Sequence, residues 1–210
     1  MGIQGLLPLL KPITNTVNLK TYAGKTVAVD TYSWIHKAVF GSCVEIVTSQ
    51  NIEEKMKWLN YCVNYIDLLL ENRVEVYLIF DGANLPMKKN TEKERAESRS
   101  LNLDRGNISL NDGKLDAARI CYSRAIDVTP TMAAELIRLC SKYRPQVKCL
   151  VAPYEADAQL AFLSRSNIVD AIISEDSDLI PFGCKEVLTT NISLFSSLNL
   201  LKFTCSLGVI

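Results

Sequence analysis

Short apolar runs, each followed within three residues by an acid, alternate along this chain with longer stretches whose apolar residues return every three or four positions. Thr26–Val29, Val74–Phe80, Val147–Ala152 and Ala171–Ser174 are runs of the first kind, and they predict buried strands. Glu53–Glu71 carries Met56, Leu59, Val63, Ile66 and Leu70 at helical spacing, which predicts one amphipathic helix. Tyr32–Phe40, Gly113–Ile126, Thr131–Tyr143 and Tyr154–Ser166 predict further helices. Pro86 opens a long polar stretch, Met87 to about Asp112, whose charged first half is expected to be helical. Alternating strands and helices imply an α/β fold with a mostly parallel central sheet flanked by helices. Strands without polar alternation fit a sheet covered on both faces. No internal repeat and no low-complexity linker breaks the pattern.

The acids fall at one kind of place in this pattern. Asp30 follows the first predicted strand, Asp81 the second, Glu155 and Asp157 the third, Asp176 and Asp178 the fourth. In a parallel sheet these positions share one edge, the carboxyl ends of the strands, where such folds place ligands. Carboxylates crowded there repel and raise one another's pKa unless cations neutralise them. Oxygen ligands without histidine or thiolate select magnesium or manganese. Two such ions side by side form a clamp for in-line phosphoryl transfer. Taken singly, each acid also has a structural reading. Asp30 suits a helix N-cap, Asp81-Gly82 a turn, Glu155 and Asp157 the first turn of a helix after Pro153, and Asp176 and Asp178 a cap of the next segment. Four successive strand ends of this kind favour a metal site.

Composition adjusts this picture. Of 210 residues 48% are hydrophobic and 22% charged, as in an ordinary globular protein. The seven cysteines form no C-x-x-C pair and there is one histidine, which argues against structural zinc. Cysteines scattered through apolar stretches read as reduced core thiols, and so as an intracellular protein. The formal net charge of zero speaks against a polyanionic partner until its placement is considered. Lys88 to Arg124 holds nine Lys/Arg against six Asp/Glu, whereas Val151 to Ile180 holds six acids and only Arg165. An acidic centre beside a basic segment suits an enzyme that binds cations and holds a polyanion alongside. A solvated surface with ordinary charge fluctuations fits the same numbers. The start, Met1-Gly-Ile-Gln-Gly-Leu-Leu-Pro, lacks the basic head and long apolar run of a signal peptide. Leu6 stands where an N-myristoylation motif wants Ser or Thr, and no stretch is apolar enough to span a bilayer. No membrane association is expected.

Five blocks stand in order: Met1-Gly-Ile-Gln-Gly-Leu-Leu, Val29-Asp-Thr-Tyr-Ser-Trp-Ile-His-Lys37, Phe80-Asp-Gly, Val151-Ala-Pro-Tyr-Glu-Ala-Asp-Ala-Gln-Leu-Ala161 and Glu175-Asp-Ser-Asp-Leu179. Together they resemble the flap-endonuclease/XPG family of 5′ nucleases over residues 1 to about 188. The Tyr32–Lys37 segment and the A-P-Y-E-A-D-A-Q-L-A run are most similar to its exonuclease members. The resemblance implies a PIN-like 5′-nuclease core over residues 1–188 with a helical arch at about 87–126. It implies two Mg2+ ions, replaceable by Mn2+, held by Asp30, Asp81, Glu155, Asp157, Asp176 and Asp178. It further implies two-metal phosphodiester hydrolysis, as a 5′→3′ exonuclease and 5′-flap endonuclease on DNA with 5′ ends or flaps. That activity serves repair and recombination in the nucleus.

By the same resemblance Lys88 and Arg95, at the start of the arch, act catalytically on the scissile phosphate, where fixed cations lower the barrier without reorganising. Arg99 is a third candidate for a DNA contact. By residue type alone, all three are solvated charges on a helix face. Tyr32 and His36 match positions lining the path of the substrate's unpaired end, and a tyrosine ring offers a base a stacking face. Gly2 matches a position where the chain start approaches the site closely, which the lack of a Cβ permits.

Two departures set further expectations. Asn90, Asn102, Asn107, Ser109 and Asn111 stand where the family's arch is more basic. After Leu188 the family continues through a strand to a G-x-D-Y motif with a further metal-binding Asp, and then to a duplex-gripping helix-two-turn-helix with bound potassium. This chain instead runs from Thr189 through Phe203 to Ile210. Residues 189–210 therefore read as a divergent tail, expected to pack poorly. The 210-residue chain is expected to bind DNA weakly and cleave slowly. Two alternatives stay open: a non-catalytic form that at most binds DNA weakly, and a stand-alone two-metal ribonuclease on a related sheet.

Overall fold

The computed structural model describes residues 3, 5–83, 85–189 and 199–204. A short helix, α1 (Leu6–Leu10), and an edge strand, β1 (Asn15–Asn18), precede the first apolar run. That run is β2 (Thr26–Asp30), buried from Val27 to Asp30. It is central, and pairs in parallel with β3 (Glu75–Phe80) on one side and β5 (Ala171–Ile173) on the other. β4 (Lys148–Val151) extends the sheet beyond β3, and β6 (Glu186–Thr189) beyond β5, both in parallel. β7 (Asn199–Thr204) then pairs antiparallel with β6 and with β1. The order is β1-β7-β6-β5-β2-β3-β4. The chain builds outward from β2 to β4, then returns to β5 and builds the other way. At such a reversal, here between β2 and β5, an open α/β sheet leaves a crevice beyond the carboxyl ends of its strands.

The residues group into two compact units, Met1–Ser33, Tyr65–Ala83 and Leu139–Ile210 forming the first, Trp34–Asn64 and Asn84–Arg138 the second. The first contains the sheet. Its core gathers Ala28 and Ile79 with Leu160, Leu163, Ile172, Leu179, Val187 and Phe203. α2 (Thr31–Gly41) starts directly from β2 and is followed in sequence by α3 (Cys43–Thr48), and the predicted 53–71 helix is broken at Met56 into α4 (Ile52–Lys55) and α5 (Lys57–Glu71). In the first unit Asp67 of α5 takes Arg144 in a two-pronged ion pair, 2.6 Å on each prong, the geometry that suits a planar guanidinium best.

In the second unit the polar stretch forms one 23-residue helix, α6 (Lys89–Asn111), where only its first half is expected to be helical. Few apolar residues drive it, so its stability depends on packing against α7 (Leu115–Ala125). Gly106 lets the buried Tyr122 ring lie against the α6 backbone, since a Cβ there would come within 2.6 Å of the ring. The Tyr122 hydroxyl donates to Asn107 Oδ1 at 2.9 Å, and Arg99 pairs with Asp127 at 3.1 Å. Cys43 and Val44 of α3 pack with Ala118, Tyr122 and Leu110 into a small core. The remaining predicted helices are α8 (Pro130–Tyr143) and α9 (Ala156–Arg165).

The expectation that the chain packs poorly from Thr189 onward fails at β7. Leu200 and Phe203 are only 8% and 6% exposed, and Phe203 belongs to the main core. A sheet edge presents a row of unpaired backbone groups, and the backbone of Asn199–Thr204 pairs with both β6 and β1. Residues 190–198 and 205–210 lie outside the described residues. If β7 is integral to the fold, Phe203→Ala should cost about 3 kcal/mol of stability, measured by urea denaturation. An unchanged midpoint would mean that β7 adds nothing to the core.

A candidate metal centre at the carboxyl edge of the sheet

The strands β2, β3, β4 and β5 are parallel neighbours in register, so the acids that follow them leave the sheet at the same edge. Asp30, the last residue of β2, is buried. Its Oδ2 accepts a hydrogen bond from Ser174 Oγ at 2.8 Å, and its Oδ1 a longer one from Ser33 N–H at 3.4 Å. Asp81, after β3, accepts from the Ala156 N–H at 2.7 Å, at the first residue of α9. Glu155 precedes that helix and Asp157 lies in its first turn, where the helix dipole favours negative charge. Asp176 Oδ1 accepts the Asp178 N–H at 3.0 Å and caps the 3-10 turn Ser177–Leu179. The structural reading of Asp30 and Asp176 as caps therefore holds, beside whatever else they do.

Neighbouring loops are stitched together at this edge. Gly82 N–H donates to Tyr154 O at 2.6 Å and Ala83 N–H to Pro153 O at 3.2 Å. A Cβ on Gly82 would lie 1.8 Å from the Ala152 carbonyl oxygen, so only glycine permits this approach. The Asp81-Gly82 pair is thereby clamped to the loop that carries Glu155 and Asp157. On the other side Ser174 links Asp30 to the Asp176 turn, and Ser177 Oγ accepts the Ile3 N–H at 2.8 Å. Gly82 reads in the sequence as half of an ordinary turn. Ser174 and Ser177 carry no sequence signal beyond their place beside acids.

The charges feel one another. Burial, with Asp81 and Asp176 nearby, pushes the Asp30 carboxyl up to about 6, against the pull of its Ser174 and Ser33 hydrogen bonds. Burial and the combined field of Asp30, Asp176, Asp81 and Glu155 push Asp157 up to about 7. Five of the six predicted acids thus share one electrostatic neighbourhood. The sixth, Asp178, is joined to Asp176 through its backbone, and its Oδ1 is buried with no hydrogen-bond partner among the described residues. Among those residues no three His, Cys, Asp or Glu side chains close around a single point. Asp30, Asp81 and Asp176 are each turned toward a hydroxyl or backbone partner of their own. The donor set nevertheless fits a hard divalent cation: all oxygen, crowded, partly desolvated, with one orphaned carboxylate oxygen.

The predicted cations lie in the second unit. Lys88 is exposed at the end of a 3-10 turn, Arg95 pairs with Glu92 at 2.8 Å, and Arg99 is engaged by Asp127. On α2, Tyr32 is half-buried and His36 exposed. Gly2 lies outside the described residues.

A mostly parallel sheet, flanked by helices and lined with acids at its carboxyl edge, is the architecture of the PIN-like 5′-nuclease fold. Solved structures agree with it. The catalytic core of Rad2 in complex with DNA substrate is similar over 97% of this chain and 54% of its own, with 24% identity and a TM-score of 0.68. Flap endonuclease-1 from Methanococcus jannaschii matches 90% of this chain and 59% of its own at 19% identity and a TM-score of 0.56. In sequence, the XPG N-terminal domain matches residues 1–102 and the XPG I-region residues 146–203. The chain belongs to the flap-endonuclease/XPG family. Exonuclease 1 of Danio rerio is 48% identical over 90% of this chain, and that of Xenopus laevis 45% over the same share. The chain spans about a quarter of those relatives' length, 23% and 25% respectively.

Two predictions test the edge. Asp30 and Asp157 hold protons in the folded protein at pH values where unfolded aspartates, with a pKa of about 3.9, have lost them. Their stabilising contribution is complete below about pH 4 and is lost as pH rises through about 6 and 7. The EDTA-treated protein should therefore lose stability between pH 5 and 7.5, and Asp157→Asn should flatten that slope in urea titrations. A rise over this range would contradict the assignment. Separately, Gly82→Ala should cost about 2–3 kcal/mol, because the colliding atom is backbone and cannot swing aside. A wild-type melting temperature for that variant would show the two loops to be independent.

Proposed function

We propose that this chain carries the metal-dependent catalytic core of a DNA nuclease acting at 5′ ends, a 5′→3′ exonuclease and 5′-flap endonuclease of DNA repair in the nucleus. The observation that carries the reading is the shared electrostatic field of carboxylates from four strand ends. Such crowding is unfavourable in a protein with no cation to bind. Support comes also from the relatives: those most similar in sequence include exonuclease 1 of several organisms, and a similar fold is found in a Rad2 core complexed with DNA substrate. Among the described residues no helix is long and apolar enough to cross a membrane.

Asp30, Asp81, Glu155, Asp157, Asp176 and Asp178 would hold two Mg2+ ions, with Mn2+ able to replace them. Bound there, such ions would supply Lewis-acid activation of water for phosphodiester hydrolysis. The protein's own part is to keep the carboxylates oriented and to deliver fixed positive charge to the phosphate. Lys88 and Arg95, on the helical arch at about 87–126, take the second role. Arg95 must leave Glu92 to do so, but an exposed pair of this kind is worth at most about 1 kcal/mol. Tyr32, His36, Arg99 and Gly2 would contact the DNA.

The test is degradation of a 5′-recessed duplex at fixed salt, with Mg2+ against EDTA, by the wild-type chain, Asp176→Asn and Lys88→Ala. Asparagine keeps the cap oxygen of Asp176 while removing its charge. Mg2+-dependent cleavage should vanish in Asp176→Asn with the fold intact, and fall about 100-fold in Lys88→Ala. Wild-type rates in Asp176→Asn would remove the carboxylates from the chemistry. DNA binding with no cleavage under any metal would favour the non-catalytic alternative.

A further inference from the structure

The hydroxyl of Ser174 occupies a position that none of the acids can fill. The residue follows β5 and is 1% exposed. Val29 is in register with Ile173, so the next pair, Asp30 and Ser174, stand side by side at the reversal of strand order. Ser174 Oγ–H donates to Asp30 Oδ2 at 2.8 Å, and the same oxygen accepts the Asp176 N–H at 3.0 Å. Its backbone N–H is engaged separately, by Leu188 O at 3.1 Å. A hydroxyl carries one proton and two lone pairs, so the proton is committed to Asp30 and a lone pair to the Asp176 turn. Those two acids are distant in the chain and leave different strands. No covalent path of useful length sets their spacing, and their charges oppose each other.

We propose that Ser174 is a positioning residue of the metal site. It fixes the Asp30 carboxylate and the Asp176 turn relative to each other across the β2/β5 crevice, and it acts on the bound cation through them. This inference rests on the metal-binding reading above. Without the hydroxyl, Asp30 Oδ2 loses its donor and is free to swing from Asp176, while the Asp176 N–H is left without its acceptor. Partners that orient metal ligands typically contribute about 10- to 100-fold to metal affinity.

Ser164 provides the control. It is equally buried, in the last turn of α9, and its Oγ accepts the Lys185 N–H at 3.0 Å, so its loss tests a buried serine that orients no carboxylate. Mn2+ would be titrated into the full 210-residue chain, reading free Mn2+ by electron paramagnetic resonance, for wild type, Ser174→Ala, Ser174→Thr and Ser164→Ala. Melting curves of the metal-free proteins would accompany the titrations. Ser174→Ala should weaken Mn2+ binding about 10- to 100-fold, Ser174→Thr should restore most of it, and Ser164→Ala should lower the melting temperature without moving the Mn2+ affinity. Should the extra methyl of threonine not pack, the contrast between the two alanine variants still decides. Wild-type affinity in Ser174→Ala, or equal losses in both alanine variants, would overturn the positioning role alone. Failure of the wild-type chain to bind Mn2+ would overturn the metal reading as well.

Discussion

Negative charges of the same kind do not gather in a partly desolvated place unless the surrounding structure holds them there. At the carboxyl edge of this sheet burial, reinforced by the field of neighbouring carboxylates, lifts Asp157 to about 7 and Asp30 to about 6. Much of the local architecture can be understood as the means of maintaining that crowding. Parallel pairing of β2, β3, β4 and β5 sends all the acid-bearing loops out at one edge. The reversal of strand order opens a crevice between β2 and β5. Two sets of hydrogen bonds then join loops that the chain itself leaves far apart, one around Gly82 and the other around Ser174.

The structural and functional readings of these acids are not competitors. Asp176 caps a 3-10 turn, and Asp81 receives the first N–H of α9. Each such bond contributes about 1 kcal/mol net, enough to orient a carboxylate but too little to offset the mutual repulsion of five. A cation bound there, as proposed, would remove the repulsion and leave the caps in place. Capping would thus pre-aim a ligand, and among the described residues Asp178 Oδ1 is a buried acceptor that such an arrangement leaves without a hydrogen bond.

The second unit follows a different logic. α6 is long, polar and weakly patterned, and is held mainly by Tyr122 against Gly106 and by the Arg99–Asp127 pair. Its basic residues are in part already engaged, by exposed partners worth little. Phosphate, a stronger and doubly accepting partner for a guanidinium, would displace such contacts at small cost. The asparagines at 90, 102, 107 and 111 lower the positive field of this helix, although Asn107 has a use in receiving the Tyr122 hydroxyl.

The amino-acid sequence by itself determined the parallel core and the identity of the acids. Apolar runs without alternation mark the buried strands β2, β3 and β5, although β4, at the end of the sheet, is partly exposed, and an acid soon after each run has one edge on which to lie. That information is local, carried by residue type at fixed spacing. Three things were decided only by tertiary structure. β7 takes its place because β6 and β1 leave a slot with unpaired backbone groups, which no propensity in Asn199–Thr204 announces. Glycine at 82 is required by a carbonyl that arrives from β4, far along the chain, and not by its own turn. Ser174 became a candidate for function because the register of β2 against β5 sets its hydroxyl between Asp30 and the Asp176 turn. A serine beside an acid is common in sequence. What it touches is a matter of strand pairing, which depends on the whole sheet and cannot be read from any window of the chain.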